Sequence, residues 1–418
     1  YKLEDWVFTT DFAQENLEKH FEVKSLKGFG IDKMDLAVIA GSAVLHYLSQ
    51  TQHDKLGHIT TISRLEEDKY VWLDRFTIRN LELLYSQNEG AVTLIDIIDK
   101  TLTPPGSRMM RRWTVLPLKD LSPIRERHEI VQFFLDEDEF QNTIETQLKE
   151  VGDLERIISK VATTRINPKE IVQLKRALTA IDPIKTACSK AKSKALPLVG
   201  DQLNPCPALR ERIEKEILND PAIAVGKGQV IASGVNTELD DLRSVLNTGK
   251  EYLEAMKQRE AERTGISSIK IAFNNVFGYY IEVRNSHKDK VPEEWIRKQT
   301  LVNAERYITE ELKEYESKIL GAEEKIHKLE TSLLSDLVLS MADYMTLIQH
   351  NAALLAKLDC LHSFAIVARA NQYTCPKMDE SFVIDIKDGR HPVIEKQLPI
   401  GEPYIANDVY LDNDTQQI

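Results

Sequence analysis

Cysteine is scarce in this chain, and the four present, Cys188, Cys206, Cys360 and Cys375, make neither a CxxC pair nor a metal-ligand cluster. That excludes a disulfide-stapled scaffold and a thiolate-held metal, and leaves reduced thiols in a cytoplasmic protein as the expectation. No uninterrupted apolar run approaches the length that spans a bilayer, so no membrane role is expected. No GxxxxGK[ST] phosphate loop occurs, which makes Gly226-Lys-Gly228 a simple turn. His53 and His58 lack a third ligand and read as loop residues rather than a metal site. The acidic runs Asp136-Glu-Asp-Glu139 and Glu310-Glu311 read as solvated faces. No nucleophile, base and orienting group can be assembled into a catalytic centre.

What is present is an ordinary globular composition with a marked rhythm. The 418 residues, 42% hydrophobic and 29% charged, exceed what one core organises and imply two to four modules. Val235, Leu239, Leu242, Leu246, Gly249, Leu253 and Met256 alternate spacings of four and three. Ile308, Leu312, Tyr315, Ile319, Ala322, Ile326, Leu329 and Leu333 repeat the alternation, then slip to Leu337, Met341, Tyr344 and Ile348. Such spacing draws a narrow apolar seam along a helix, the pattern of two helices that wrap around each other. The two stretches are therefore read as one antiparallel arm. A return helix from about Asn303 to about His350 would be roughly 70 Å long at 1.5 Å per residue, with the segment from about Thr264 to Val302 at its tip.

The formal charge of −12 argues against an overall basic coat, but the tip reverses the sign. Between Gly265 and Ala304 six basic residues (Lys270, Arg284, Lys288, Lys290, Arg297, Lys298) outnumber four acidic ones, a net of +2 against −14 for the remainder. Charge alone leaves a solvated loop as open as a surface that meets a polyanion. Alternation over Ser268–Phe273, turn chemistry at Asn274-Asn275 and β-rich composition over Phe277–Val283 predict a hairpin. Pro292–Lys298 reads as a short helix with Pro at its first turn. Asn274, Asn275, Asn303, Arg297 and Lys298, with the cations Arg284 and Lys288, are candidates for bonding phosphate oxygens without reading bases. Asn303 has a second possible role, as N-cap of the return helix.

The rest of the chain frames the arm. Residues 1 to 70 mix strand-like runs (Trp6-Val-Phe8, Ile59–Ile62, Tyr70-Val-Trp72) with a helical stretch from about Leu36 to Leu48, which suggests part of an α/β domain. Leu81 to about Ile217 reads as helices punctuated by Thr103-Pro-Pro-Gly106, Leu116-Pro117, Asn167-Pro168 and Asn204-Pro-Cys-Pro207. Phe382–Ile386, Gly389–Val393 and Val409–Leu411 return to strand and turn signals. The chain begins at Tyr1, without initiator Met or signal peptide, and is expected to be a piece of a longer protein.

Ile231-Ala-Ser-Gly234 leading into Glu238-Leu-Asp240, Glu262-Arg-Thr-Gly265, Phe277-Gly-Tyr-Tyr280, Gln299-Thr-Leu301, Asn303-Ala-Glu-Arg-Tyr307, Glu311-Leu-Lys-Glu-Tyr-Glu316 and Gly389-Arg-His-Pro-Val393, in that order, closely resemble the bacterial MutS mismatch-repair family. Thr103-Pro-Pro-Gly-Ser-Arg108 and Lys27-Gly-Phe-Gly30 extend the resemblance over nearly the whole chain. It implies a mainly α fold: a helical lever domain with a long antiparallel coiled-coil arm tipped by a small β-rich clamp, flanked by partial α/β domains. Residues 1–71 would be part of the connector domain, 72–232 the first part of the lever, 233–263 the ascending arm helix and 264–304 the clamp. Residues 305–375 would be the returning helix with the rest of the lever, and 376–418 the start of an ATPase domain.

The resemblance also implies DNA mismatch repair, with double-stranded and mismatched DNA, a MutL-type protein and a second copy of the chain as partners of the full-length protein, and ATP with magnesium as its cofactors. Asn274, Lys298 and Asn303 match family positions that contact DNA, Tyr404 and Ile405 match positions that lie against adenine, and Val302 falls where some relatives carry a cation. Two family elements are absent: no Phe has Glu two residues later, as the mismatch reader requires, and no Walker A loop is present, so ATP hydrolysis is not expected of this chain. The alternative from a different class is a coiled-coil scaffold whose tip binds a protein through an exposed aromatic anchor such as Trp295.

Overall fold

In the computed structural model, residues 2–52, 56–57, 59–64, 67–274, 276, 278–399 and 401–414 are described, so His53, His58, Asn275 and Phe277 lie outside the described residues. The chain divides into two units, one of Tyr1–Ile166, Glu170–Arg212 and Leu339–Ile418, the other of Asn167–Lys169 and Ile213–Val338.

The larger unit is built on a helix that is apolar nearly all round, Met345–Asn371, whose Ile348, Ala352, Leu355, Leu358, Leu361 and Ala365 are all buried. A helix without a polar face belongs inside other helices, and Pro104–Val115, Leu121–Asp136 and Leu154–Ala162 pack against it. Three of its buried polar side chains each serve a turn. Asp359 accepts hydrogen bonds from the backbone N–H of Leu102 (2.9 Å) and Thr103 (2.8 Å) and from the Thr103 hydroxyl (2.6 Å). Ser363 Oγ donates to the Ile98 carbonyl (2.8 Å), and Asn351 exchanges two hydrogen bonds with the backbone of Asn204. The proline-rich turns at Thr103 and Asn204 are thus held by polar groups that would otherwise be buried without partners.

An eighteen-residue window within Glu310–Asn371 reaches a mean hydropathy of 1.3, long and apolar enough to cross a membrane by composition, yet 72% of it is buried inside the protein, as a core helix is.

The N-terminal segment differs from its expected strands. Asp5–Phe8 is a 3-10 turn, residues 59–64 form no strand, and Tyr70 makes a single bridge to Leu118. Runs of three or four residues are too short to specify a strand, and Trp6 instead packs edge-on against Phe12 (4.7 Å) and His46 (5.4 Å) of helices Thr10–His20 and Asp35–Gln52. The expected C-terminal strands do form. They pair antiparallel at 384–389 and 407–411, with the helix Pro392–Gln397 between them.

The smaller unit contains the seam. The outgoing helix Thr237–Thr264 buries Leu239, Gly249, Leu253 and Met256, and the return helix Glu310–Met341 buries Leu312, Ile319, Ala322 and Leu337. Contacts fall in antiparallel order: Arg243 with Glu330, Gly249 with Ile319, Tyr252 with Tyr315, Arg259 with Glu311. At Gly249 a Cβ would stand 2.8 Å from Ile319 Cγ1, so the helices approach too closely there for any side chain. Tyr252 and Tyr315 stack with ring centres 3.7 Å apart. The return helix is shorter than expected, about 48 Å at 1.5 Å per residue, because residues 304–308 form a strand and a 3-10 turn at Ala342–Tyr344 interrupts it. That turn follows the slip in the apolar spacing.

Arg243 and Glu330 are buried charges, with side chains 10% and 3% exposed, joined at 2.6 Å; Arg243 also donates to the Ile231 carbonyl (2.8 Å). Glu330→Ala leaves the buried guanidinium only the more distant Asp240 carboxylate (3.6 Å) and is expected to cost about 3–5 kcal/mol in urea unfolding. The double variant Arg243→Met/Glu330→Leu should recover most of that loss. In the larger unit His362 is buried with neither ring nitrogen hydrogen-bonded, and burial holds its pKa below the ordinary value against the pull of Glu145 at 3.7 Å. The unfolded chain therefore takes up this proton at higher pH than the folded one, and stability is lost as pH falls below about 6.5. His362→Leu should flatten the fall in urea midpoint between about pH 6.5 and 5.

Candidate nucleic-acid interface

The segment that joins the two arm helices folds into a four-stranded antiparallel sheet of order β1-β2-β4-β3. β1 is Lys270–Asn274, β2 Gly278–Arg284, β3 Ile296–Thr300 and β4 Ala304–Ile308. One face buries Ile281, Val283, Trp295 and Tyr307 against Leu253, Met256, Leu312 and Ile319 at the helix ends. On the other face Arg306 bonds Glu282 (3.0 Å) and Gln299 (2.9 Å) and lies 4.2 Å over the Tyr280 ring, so its donors are engaged within the sheet.

The register separates the sheet into two ends. β4 leads from Ala304 through Ile308 into the return helix, and Arg284 pairs with Ala304, so Arg284 and the β3–β4 turn lie at the end away from the helices. A 3-10 segment, Asn285–Lys290, follows β2 there. Asn285 fastens it to the turn: its backbone N–H donates to the Asn303 carbonyl (3.1 Å) and its Nδ2 to the Val302 carbonyl (2.9 Å). Arg284, Lys288, Lys290 and Asn303 are all exposed at this end, and among the described residues none of the three cations has an ion-pair partner. Val302, 92% exposed, stands among them.

Edge strand β3 carries the other two cations. Its register shifts between Arg297 and Gln299, which leaves Lys298 as the extra, exposed residue; a bulge at a sheet edge re-aims a side chain in this way. Arg297 is 3.4 Å from Glu305. The Glu305 carboxyl is held below the usual range by the Tyr307 hydroxyl first, with Arg297 and Lys288 adding to it. Burial and this carboxylate push the Tyr307 hydroxyl up to about 12.

Asn274 is placed elsewhere. It pairs with Gly278 at the opposite end of β2, roughly 20 Å from Arg284 at 3.3 Å per residue. Its Oδ1 accepts the Val276 N–H (2.8 Å), turn chemistry of the expected kind. The neighbouring candidate Asn275 lies outside the described residues. Two readings are corrected. Asn303 does not cap the return helix, because β4 follows it directly; Thr309 does, its Oγ1 accepting the Leu312 N–H (3.1 Å). Pro292–Lys298 is not a helix: one turn closes from Trp295 N–H to the Pro292 carbonyl (3.1 Å), Trp295 enters the core at 5% exposure, and the chain continues as β3. Sequence reasoning also left out Lys290 and Asn285, which the polar run Arg284–Lys290 could have suggested.

Tyr404 and Ile405 lie in the irregular segment before the strand at 407–411, with Ile405 80% exposed, and no phosphate-cradling loop accompanies them. Among the described residues no group of three His, Cys, Asp or Glu could hold a metal.

Comparison with known proteins gives a consistent result. The family described as MutS domain III matches residues 76–365, and MutS domain II matches residues 1–60. Over all 418 residues the chain is 61% identical to the DNA mismatch repair protein MutS of Parabacteroides distasonis and 58% identical to those of Flavobacterium johnsoniae and Bacteroides fragilis, covering 48% of each. The chain thus spans about half the length of the curated relatives it matches.

The β1–β2 hairpin is seated by Glu316, which accepts the Tyr279 N–H (2.7 Å), and a Cβ on Gly278 (φ +77°) would collide with that carboxylate. Gly278→Ala is expected to cost about 1–3 kcal/mol locally. Hydrogen exchange should show lost protection at Tyr279 with Ile281 and Tyr307 less affected; uniform protection would contradict this seating.

Proposed function

Because the chain belongs to the MutS family, we propose that it contributes to DNA mismatch repair by gripping the backbone of duplex DNA through the sheet at the end of its helical arm. The observation that carries this reading is the gathering of Arg284, Lys288, Lys290 and Asn303 at one end of the sheet without carboxylate partners among the described residues. Exposed cations and amides on a rigid turn suit phosphate oxygens, whose spacing does not depend on sequence. Lys298, at the bulge, and Arg297, once released from Glu305, would extend the contact along the β3 edge. Asn274 would contribute only if duplex reached the opposite end of the sheet; Asn275, next to it in sequence, belongs to the same proposal.

On this reading residues 264–304 act as the clamp, the arm helices carry it, and residues 376–418 begin an ATPase domain to which the arm couples DNA binding. Tyr404 and Ile405 would meet adenine in the longer protein. The residues present do not form a site for its triphosphate or magnesium, so no nucleotide chemistry is derived for this chain. A second copy of the chain and a MutL-type partner belong to the same proposal. The alternative, a protein-binding tip anchored by Trp295, loses its anchor because that indole is part of the core.

Duplex affinity measured across a salt series tests the grip. Three to four phosphate contacts predict a log–log slope of roughly −3 to −4, at about 0.9 per neutralised phosphate. Arg284→Ala/Lys288→Ala should make the slope shallower by about 2. Asn303→Ala should weaken binding with little change in slope. Binding that ignores salt would support the protein-binding alternative instead.

A further inference from the structure

The larger unit contains a cavity of about 840 Å³ that the proposed DNA grip does not use. Its walls come from four helices, Leu94–Ile98, Pro104–Val115, Leu121–Asp136 and Met345–Asn371, and from residues 117–118 and 373–376. The lining is mostly apolar, with Trp113, Val131, Leu135 and Phe364 among its side chains, and its size falls in the range of small-molecule sites. Trp113 and Phe364 set the wall, their ring centres 6.3 Å apart.

Two polar side chains that line this cavity are Arg127 and Tyr373. The Arg127 guanidinium lies flat over Trp113, 3.4 Å from the ring centre. Among the described residues no acceptor hydrogen-bonds it and no carboxylate is within ion-pair distance, Glu126 attracting it only from farther off. Cation–π contact stabilises the charge but leaves the in-plane N–H donors unused. The second is Tyr373, whose hydroxyl is buried without a hydrogen-bond partner near Glu395 and Arg390. Its place is fixed by the left-handed turn at Gln372 (φ +56°) and by the Tyr373 N–H, which bonds the Ala368 carbonyl at 2.9 Å. An arginine fork matches a carboxylate in geometry as well as in charge.

We propose that this cavity binds a small amphipathic carboxylate, with the apolar body between Trp113, Val131 and Phe364 and the carboxylate on Arg127. Cys375, an exposed free thiol that also lines the cavity, reports on occupancy.

The test uses the full chain with octanoate and its neutral analogue 1-octanol, titrated by calorimetry. Octanoate should bind saturably and about tenfold more tightly than octanol, the ratio expected of one charge-assisted contact. Arg127→Met should abolish that preference while octanol binding persists, and Arg127→Lys should retain part of it. Val131→Trp, which fills the cavity, should lose both ligands with its circular dichroism unchanged; Leu135→Trp serves if Val131→Trp does not fold. Octanoate should also slow alkylation of Cys375 severalfold. No saturable octanoate binding, equal affinity for the two ligands, or undiminished binding in a folded cavity-filled variant would overturn the proposal.

Discussion

The antiparallel seam between Thr237–Thr264 and Glu310–Met341 is the constraint on which the sheet and its cationic end depend. Two helices that meet along one face must begin and end together, so whatever joins them is confined to their common end. Leu253, Met256, Leu312 and Ile319 then serve twice, closing the last turns of the seam and forming the floor on which the sheet packs. Within the seam, close approach at Gly249, the Tyr252–Tyr315 stack and the buried Arg243–Glu330 pair leave little freedom in register. A slip of one turn would part Arg243 from Glu330 and leave that carboxylate buried without its cation, a cost of several kcal/mol. Register in the helices thereby fixes where β4 starts, and β4 fixes which loops lie away from the arm.

Charge follows the same geometry. The sheet keeps Arg306 occupied with Glu282, Gln299 and Tyr280, and holds Glu305 between Tyr307, Arg297 and Lys288. Arg306 and Arg297 are thus neutralised or shared, whereas Arg284, at the end of β2, and Lys288 and Lys290, on the 3-10 segment, have no ion pair among the described residues. On a chain with net charge −12, such a local excess concentrates attraction for a polyanion in one small region and leaves the remainder repulsive to it.

Periodicity carried the reading of this protein furthest. The alternation of four and three located both arm helices, and Asn274-Asn275 between β-rich runs located the hairpin, because each pattern reflects a local rule. Pairing across the sheet is not local. Nothing in the sequence near Asn303 reveals that Asn285 bonds to its carbonyl, or that Thr309 six residues later caps the helix. Pro292–Lys298 looked helical by its proline and glutamates, yet burial of Trp295 and pairing with β4 overrode that propensity. The same limitation scattered the candidate contacts. Residues close in sequence pattern, Asn274 and Arg284, fall at opposite ends of β2, while Arg284 and Asn303, nineteen positions apart, are neighbours through the register. The buried Asp359 and Ser363 show the same effect in the larger unit, where polar residues on an apolar helix make sense only beside the turns they hold.

The central claim is that duplex DNA meets the sheet at its outer loops, and site-directed crosslinking tests it most directly. Val302 and Val276 are both highly exposed, 92% and 77%, and lie at opposite ends of the sheet. Single cysteines placed there by Val302→Cys and Val276→Cys, each with Cys375→Ser, would be offered a homoduplex carrying one thiol-reactive phosphate, in two unrelated sequences. Adducts at position 302 in equal yield for both sequences, with little at 276, are predicted. Adducts mainly at 276, or a yield at 302 that depends on the base sequence, would contradict a backbone grip by these loops.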